Sequence, residues 1–86
     1  MDGLYTIYDR VAEEAAPPFV ARTDGVAVRQ FQAAILNGKV YNPDDYLLYR
    51  IGSWDSTLMA LYAEDRPEQV IISVPDRAME VMSNGR

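Results

Sequence analysis

Two residue types with active chemistry are missing from this chain of 86 residues, which contains no cysteine and no histidine. Without cysteine there is no disulfide framework and no thiolate metal site. Without histidine the chain lacks the commonest general base and the commonest metal ligand. These absences reduce the range of enzymatic and metal-binding chemistry that the sequence can support.

Long apolar runs are also missing. No run approaches the roughly 20 residues that a membrane-spanning helix requires. The first ten residues, MDGLYTIYDR, carry an acid at once and lack a basic segment followed by a long apolar one. We therefore predict neither a signal peptide nor contact with a membrane, and a cytoplasmic setting fits.

Positive charge is scarce, since eight basic residues face thirteen acidic ones and the formal net charge is −5. Proteins that coat nucleic acid depend on Lys and Arg to release counterions from phosphates, so this balance argues against such a role. Seven of the eight basic residues are arginine. Arginine suits phosphate and aromatic contacts better than lysine does, although a genome rich in G and C explains the same bias.

Catalytic constellations are not apparent. Neighbouring acids occur at residues 13–14, 44–45 and 64–65, but adjacent side chains in an extended segment point to opposite faces and seldom share a proton or a metal ion. The serines have no histidine to activate them, and neither a phosphate-binding glycine loop nor a calcium-binding loop is present. We predict a protein that is not an enzyme and uses no cofactor or metal.

The length predicts a single domain over residues 1–86 with a thin core. Aromatic and β-branched runs predict short strands at residues 4–9, 19–22, 57–62 and 69–74. Charged segments around residues 10–18 and 63–68 are interpreted as loops, and residues 76–86 as a loosely ordered tail. With the helix and the strand described next, the predicted order is β-β-α-β-β-β. This order indicates an α+β fold, a small antiparallel sheet with one helix on one face.

One helix is clearly predicted, in the segment TDGVAVRQFQAAILNG. Thr23 or Asp24 can cap its N-terminus, and Asn37-Gly38 predicts a left-handed C-cap. An apolar stripe predicts the face that packs on the sheet. This stripe consists of Ala27, Phe31, Ala34 and Ile35, with Val28 at its border.

The longest strand is predicted from Tyr46 to Trp54, after the turn signal NPDD. Both of its faces are largely apolar, which is typical of a central strand covered by the helix on one side and by a partner, a loop or a ligand on the other. Gly52 within the run indicates a bulge or a close backbone approach. Because its second face requires a cover, we predict a homodimer or a higher oligomer.

Aromatic side chains with an arginine between them are suited to single-stranded nucleic acid, because bases stack on rings while arginine holds phosphates. Strict alternation places Tyr46, Arg50 and Trp54 on one side of the long strand, about 13 Å apart in succession. The aromatic residues fit a small core or a dimer interface equally well. The predicted nucleic-acid contacts are Arg22, Arg29, Tyr46, Arg50, Trp54 and Arg66.

Two segments, DGVAVRQF and NPDDYLLYRIGSWD, resemble the small nonstructural protein of gokushovirus-type microviruses, which are phages with single-stranded DNA. The second segment is the more specific, and the resemblance covers about residues 4 to 70. Its matching positions are Asn42, Pro43, Asp45, Tyr46, Leu48, Tyr49, Ile51, Gly52, Trp54 and Asp55. The resemblance implies no catalytic residue. It implies a nonstructural phage protein, sometimes described as DNA-binding, that acts in genome replication or packaging in the host bacterial cytoplasm.

Two readings of the function follow. In the first, the protein is a non-enzymatic accessory factor that binds single-stranded DNA. In the second, it is an oligomeric interaction module that binds a phage replication or assembly protein, or a host protein, without contacting nucleic acid. A protein that mimics the charge of DNA is a weaker third reading, because the acids are scattered along the chain.

Overall fold

A computed structural model describes residues 1–38 and 42–72, and within these ranges the protein is an antiparallel sheet with one helix. The predicted α+β class is confirmed. The predicted tail at residues 76–86 lies outside the described residues. The elements are β1 (Asp2–Asp9), β2 (Glu14–Ala15), β3 (Phe19–Ala21), α1 (Asp24–Asn37), a 3-10 turn (Pro43–Asp45), β4 (Tyr46–Asp55) and β5 (Ala60–Gln69).

The sheet runs in the order β2-β1-β4-β5, and β3 also pairs with β1. All pairings are antiparallel. The ten residues of β4 lie between β1 and β5, so the predicted central position of this strand is confirmed. Among residues 1–38 and 42–72, β5 has a paired neighbour on one side only, so it forms an edge of the described sheet.

The helix begins as predicted, because the side chain of Thr23 accepts a hydrogen bond from the backbone N–H of Val26. It contacts β3 and β1. It ends as predicted at Asn37 with Gly38 as the C-cap residue, but the predicted left-handed conformation is wrong, since Gly38 has φ −91° and its N–H donates to the carbonyl of Ile35. The final turn therefore tightens without entering the left-handed region. Ala34 is exposed, which narrows the predicted apolar stripe.

A thin core fills the space between the helix and the sheet, and the side of the sheet that carries it is called the helix face. Ala27 and Phe31 of α1 meet Tyr5 of β1 and Leu48 of β4 there. The same cluster is completed by Ala21 and Val70. Burial of these apolar groups is the main force that fixes α1 on the sheet.

The predicted loop at residues 63–68 is wrong, because these residues belong to β5. Arg50 pairs with Glu68 and Tyr49 with Gln69, so the ladder with β4 extends through the charged segment. An edge strand tolerates charge because its outer side faces water. Of the predicted strand at residues 69–74, Gln69 belongs to β5, residues 70–72 are not in a strand, and residues 73 and 74 lie outside the described ranges.

Two further segments differ from the prediction. The turn after β4 covers residues 56–59, so the predicted strand at 57–62 begins only at Ala60. The carboxylate of Asp55 stabilises this turn by accepting from the N–H groups of Thr57 and Leu58. The predicted loop before the helix contains β2, and the hydroxyl of Thr6 donates to the carbonyl of Ala16 at 2.6 Å. Within the described residues, no helix is long and apolar enough to cross a membrane.

Candidate nucleic-acid interface

The two faces of the sheet are set by a bulge in β4. Arg50 pairs with Tyr5 of β1, whereas Gly52 pairs with Leu4, so Ile51 is an extra residue without a partner on β1. Side chains alternate regularly along β1. The residues of β4 after the bulge therefore lie on the opposite side from where strict alternation would place them.

Trp54 is the residue most affected by this bulge. It pairs with Asp2, which is three positions from Tyr5 and so points to the other side of β1. Arg50 and Trp54 thus lie on opposite faces, and the predicted row of Tyr46, Arg50 and Trp54 is wrong. The bulge also brings Ser53 to the side of Arg50, whose guanidinium donates to the Ser53 hydroxyl at 3.4 Å.

Gly52 is required by the backbone geometry at this bulge. A Cβ atom at this position would collide with the carbonyl oxygen of Tyr62 on β5. The predicted close backbone approach at Gly52 is confirmed. The pairing of β4 with β5 is also interrupted here, because Arg50 pairs with Glu68 and Gly52 pairs with Ala63. Residues 64–67 of β5 therefore form a wide bulge opposite Ile51.

A polar cluster on the helix face joins the N-terminus of α1 to the sheet. The hydroxyl of Tyr5 donates to a carboxylate oxygen of Asp24 at 2.5 Å. Burial raises the pKa of Tyr5 to about 12, and the hydrogen bond to Asp24 and the negative charge of Asp24 add to this effect, while Arg50 opposes it. The Nε atom of Arg50 is buried and lies 3.8 Å from a carboxylate oxygen of Glu64.

This polar cluster is best explained as a structural feature of the fold and not as a binding site. Tyr5 is only 1% exposed, and its hydroxyl is engaged in the hydrogen bond to Asp24. Arg50 is held by Ser53 and Glu64. Each of these contacts joins the start of α1 or the bulged region of β5 to the sheet, and they direct the Arg50 guanidinium toward Ser53 and Glu64 on the helix face.

The other side of the sheet, called the open face, carries a groove. Its floor consists of Thr6 and Tyr8 from β1 and of Tyr49 and Ile51 from β4. The rings of Tyr8 and Tyr49 meet edge to face, with centroids 6.3 Å apart and an angle of 83° between their planes. The floor of the groove therefore presents aromatic ring surface to any molecule that binds there.

Two walls rise beside this floor. One wall is the segment of Ala15, Ala16 and Pro18, which the Thr6 hydroxyl ties to β1. The other wall is Arg66 and Pro67, in the wide bulge of β5. The groove has a volume of about 630 Å³. Such a shape can take a flat ring system beside the tyrosines, with an anionic group at Arg66.

The structure divides the six predicted contact residues between different surfaces. Arg66 lines the groove, and the strand register places Trp54 on the same open face. Tyr46 packs at the margin of the core and Arg50 lies in the polar cluster, both on the helix face. Arg29 is exposed on α1, and Arg22 is exposed just after β3. Of the six residues, only Trp54 and Arg66 are brought to the open face that carries the groove.

Tyr8 and Tyr49 are the groove residues that the predicted set omits. Their signal in the sequence is spacing: Thr6 and Tyr8 are two positions apart on one strand, and Tyr49 and Ile51 are two positions apart on another. Alternation assigns each pair to one side of its strand. It does not show that β1 pairs with β4, and only this pairing brings the two tyrosines together.

The described ranges contain no group of three or more His, Cys, Asp or Glu side chains that could hold a metal ion. Comparison with known proteins gives one match, to the family described as phage ORF5 protein, over residues 2–83. No curated protein matches the chain, and no solved structure matches it.

Proposed function

Because the chain belongs to the phage ORF5 protein family, we propose that it is a non-enzymatic accessory protein that binds single-stranded DNA during phage replication or packaging. The resemblance to the gokushovirus nonstructural protein supports a phage with a single-stranded genome. The site of action in this proposal is the cytoplasm of the infected bacterium. The binding surface is the groove on the open face.

The observation that carries the proposal is the composition of this groove. Tyr8 and Tyr49 offer ring surface, and Ile51 and Pro67 offer apolar contacts. Arg66 supplies a cation at the rim. Stacking on aromatic rings favours a nucleic acid whose bases are exposed, so the groove should prefer single strands to duplexes.

The acidic balance of the chain is compatible with this mode of binding. A protein of net charge −5 repels a polyanion at long range. Stacking does not depend on charge, and a single arginine lines the groove. We therefore expect modest affinity and a shallow salt dependence, with a slope of about −0.7 on a log–log plot, as for one neutralised phosphate.

Fluorescence anisotropy with a labelled single-stranded oligonucleotide tests the proposal. Tyr49→Ala removes one stacking surface and should weaken binding by roughly 5- to 150-fold, the equivalent of about 1–3 kcal/mol. Arg66→Ala should weaken binding and flatten the salt dependence. Arg29→Ala is the matched control, because it removes an arginine that is also exposed but lies on α1, away from the groove.

The outcome is informative in each case. Binding that falls with Tyr49→Ala and Arg66→Ala, but not with Arg29→Ala, supports the groove. Binding lost only with Arg29→Ala contradicts it and favours a surface on α1. Flat anisotropy at low salt and high protein concentration contradicts DNA binding as a whole.

A second candidate function is the interaction module that binds a phage or host protein without nucleic acid. The observation that favours it is the exposed apolar surface at the turn between β4 and β5. Leu58, Met59 and Leu61 are all more than 60% exposed there. Pull-down from infected cells with wild-type protein and with Leu61→Lys would separate this function from DNA binding, because Leu61 does not line the groove.

A further inference from the structure

The outer edge of β5 has two halves of different character. The half from Glu64 to Glu68 carries charges, a proline and the wide bulge. Each of these features discourages another strand from pairing with a sheet edge. The half from Ala60 to Ala63 has none of them, and within the described residues no strand pairs with its outer side. One half of the edge is therefore protected and the other is available.

The available half lies beside exposed apolar side chains. Leu61 is 64% exposed and Met59 is 81% exposed. Asp55 is the only charged residue between positions 52 and 63, and its carboxylate is engaged with backbone N–H groups of the turn. The surface thus combines free backbone hydrogen-bonding groups with apolar contacts and almost no charge.

These properties indicate which partner fits. Two copies of a chain with net charge −5 repel each other over most of their surfaces. They can approach most easily where charge is lowest, which is this half-edge. An antiparallel pairing of a strand with its own copy satisfies the free groups of both strands at once. We propose that the half-edge around Leu61 pairs with the same half-edge of a second copy, with Leu61 directly opposite its own copy, to form a two-fold symmetric dimer.

The geometry of this dimer has a consequence for the open face. A two-fold axis that relates antiparallel neighbouring strands runs perpendicular to the sheet, so the same face of both copies points the same way. The two grooves would then lie on one surface, roughly 30 Å apart from strand spacing and rise. The dimer does not depend on DNA binding, but it would offer a long ligand two sites in succession.

Light scattering of the full chain over a range of concentrations tests the dimer. Leu61→Lys places like charges near the two-fold axis and should raise the dissociation constant of the dimer by roughly a hundredfold or more, because facing like charges are strongly unfavourable. Leu36→Lys is the matched control, since Leu36 is 83% exposed on α1. Circular dichroism confirms that both variants remain folded.

A disulfide provides an independent measurement. The chain has no cysteine, so Leu61→Cys introduces a single thiol that can bridge only to its copy. Residues paired across neighbouring strands are close enough for such a bridge. We expect rapid formation of covalent dimer with Leu61→Cys and slow formation with Leu36→Cys.

The dimer is supported if wild type and Leu36→Lys are dimeric, Leu61→Lys is monomeric and Leu61→Cys crosslinks. It is overturned if wild type is monomeric throughout, or if Leu61→Lys stays dimeric. It is also overturned if Tyr49→Lys dissociates the dimer and Leu61→Lys does not, because the copies would then meet through their open faces. DNA binding by a monomeric wild type would refute the dimer and leave the proposed function intact.

Discussion

The hydroxyl of Tyr5 ties the start of the helix to the first strand, and Tyr5→Phe removes this tie alone. The ring of Tyr5 stacks on Phe19 with centroids 5.9 Å apart, and phenylalanine preserves that contact. The change deletes the hydrogen bond to Asp24. A hydrogen bond to a charged group contributes about 1.5–3 kcal/mol. Because Asp24 is exposed and regains water, we expect a loss at the lower end, about 1–2 kcal/mol.

The same contact makes stability depend on pH. The pKa of Tyr5 rises from 10.0 to about 12 on folding. The fold therefore favours the protonated hydroxyl, and this stabilisation is complete below pH 10 and is lost as the pH rises through 12. A rise of two pKa units corresponds to at most about 2.7 kcal/mol of pH-dependent stability. This upper bound agrees in order of magnitude with the contribution expected from the hydrogen bond.

Urea unfolding of wild type and Tyr5→Phe at several pH values measures both effects. At pH 8 wild type should be more stable by about 1–2 kcal/mol. Between pH 10 and 12 the difference should shrink and then reverse in sign, because only wild type must bury an ionising hydroxyl at Tyr5. The other tyrosines titrate in both proteins and cancel. A difference that is constant from pH 8 to pH 11.5, or a variant as stable as wild type at pH 8, would show that the hydrogen bond from Tyr5 to Asp24 does not stabilise the fold.

Three further changes test other parts of the structure. Gly52→Ala should destabilise the fold by about 1–3 kcal/mol in urea unfolding, because the new Cβ collides with the Tyr62 carbonyl; an unchanged midpoint would contradict the close approach. Leu48→Ala should cost about 2–5 kcal/mol, since Leu48 is buried beneath α1; a loss below 1 kcal/mol would contradict a core role. Arg50→Ala should lower the free energy of unfolding by about 1 kcal/mol and leave DNA affinity unchanged, because Arg50 contacts Glu64 and Ser53 on the helix face. A large loss of DNA affinity without a loss of stability would instead indicate that Arg50 contacts DNA.

The features that the sequence predicts well are those whose signal lies within a single helix or strand. Thr23 caps α1 through a bond three residues away, and the positions of Ala27 and Phe31 follow from the helical period. The two-sided pattern of β4 indicates a central strand, and Gly52 correctly indicates a close backbone approach. For α1 the constraint acts within a few residues, whereas for β4 and Gly52 it comes from the neighbouring strands but leaves its signal within β4 itself.

The features that the sequence misses depend on pairing between distant segments. The extra residue at Ile51 is defined only by the register against β1, and it moves Trp54 to the other face. The strand β5 has no alternating pattern, because residues 61–69 are all exposed at an edge. The wall formed by Arg66 depends on this same edge strand and its bulge. Rules of alternation cannot reveal such sites.

The groove on the open face is proposed to bind single-stranded DNA. The most direct test is an NMR titration of the labelled chain with a short single-stranded oligonucleotide, following each backbone amide. We expect the shifts to concentrate at Tyr8, Tyr49 and Ile51 and at the Arg66 wall, while α1 around Arg29 is unaffected. Shifts concentrated on α1, or none at saturating oligonucleotide, would contradict it.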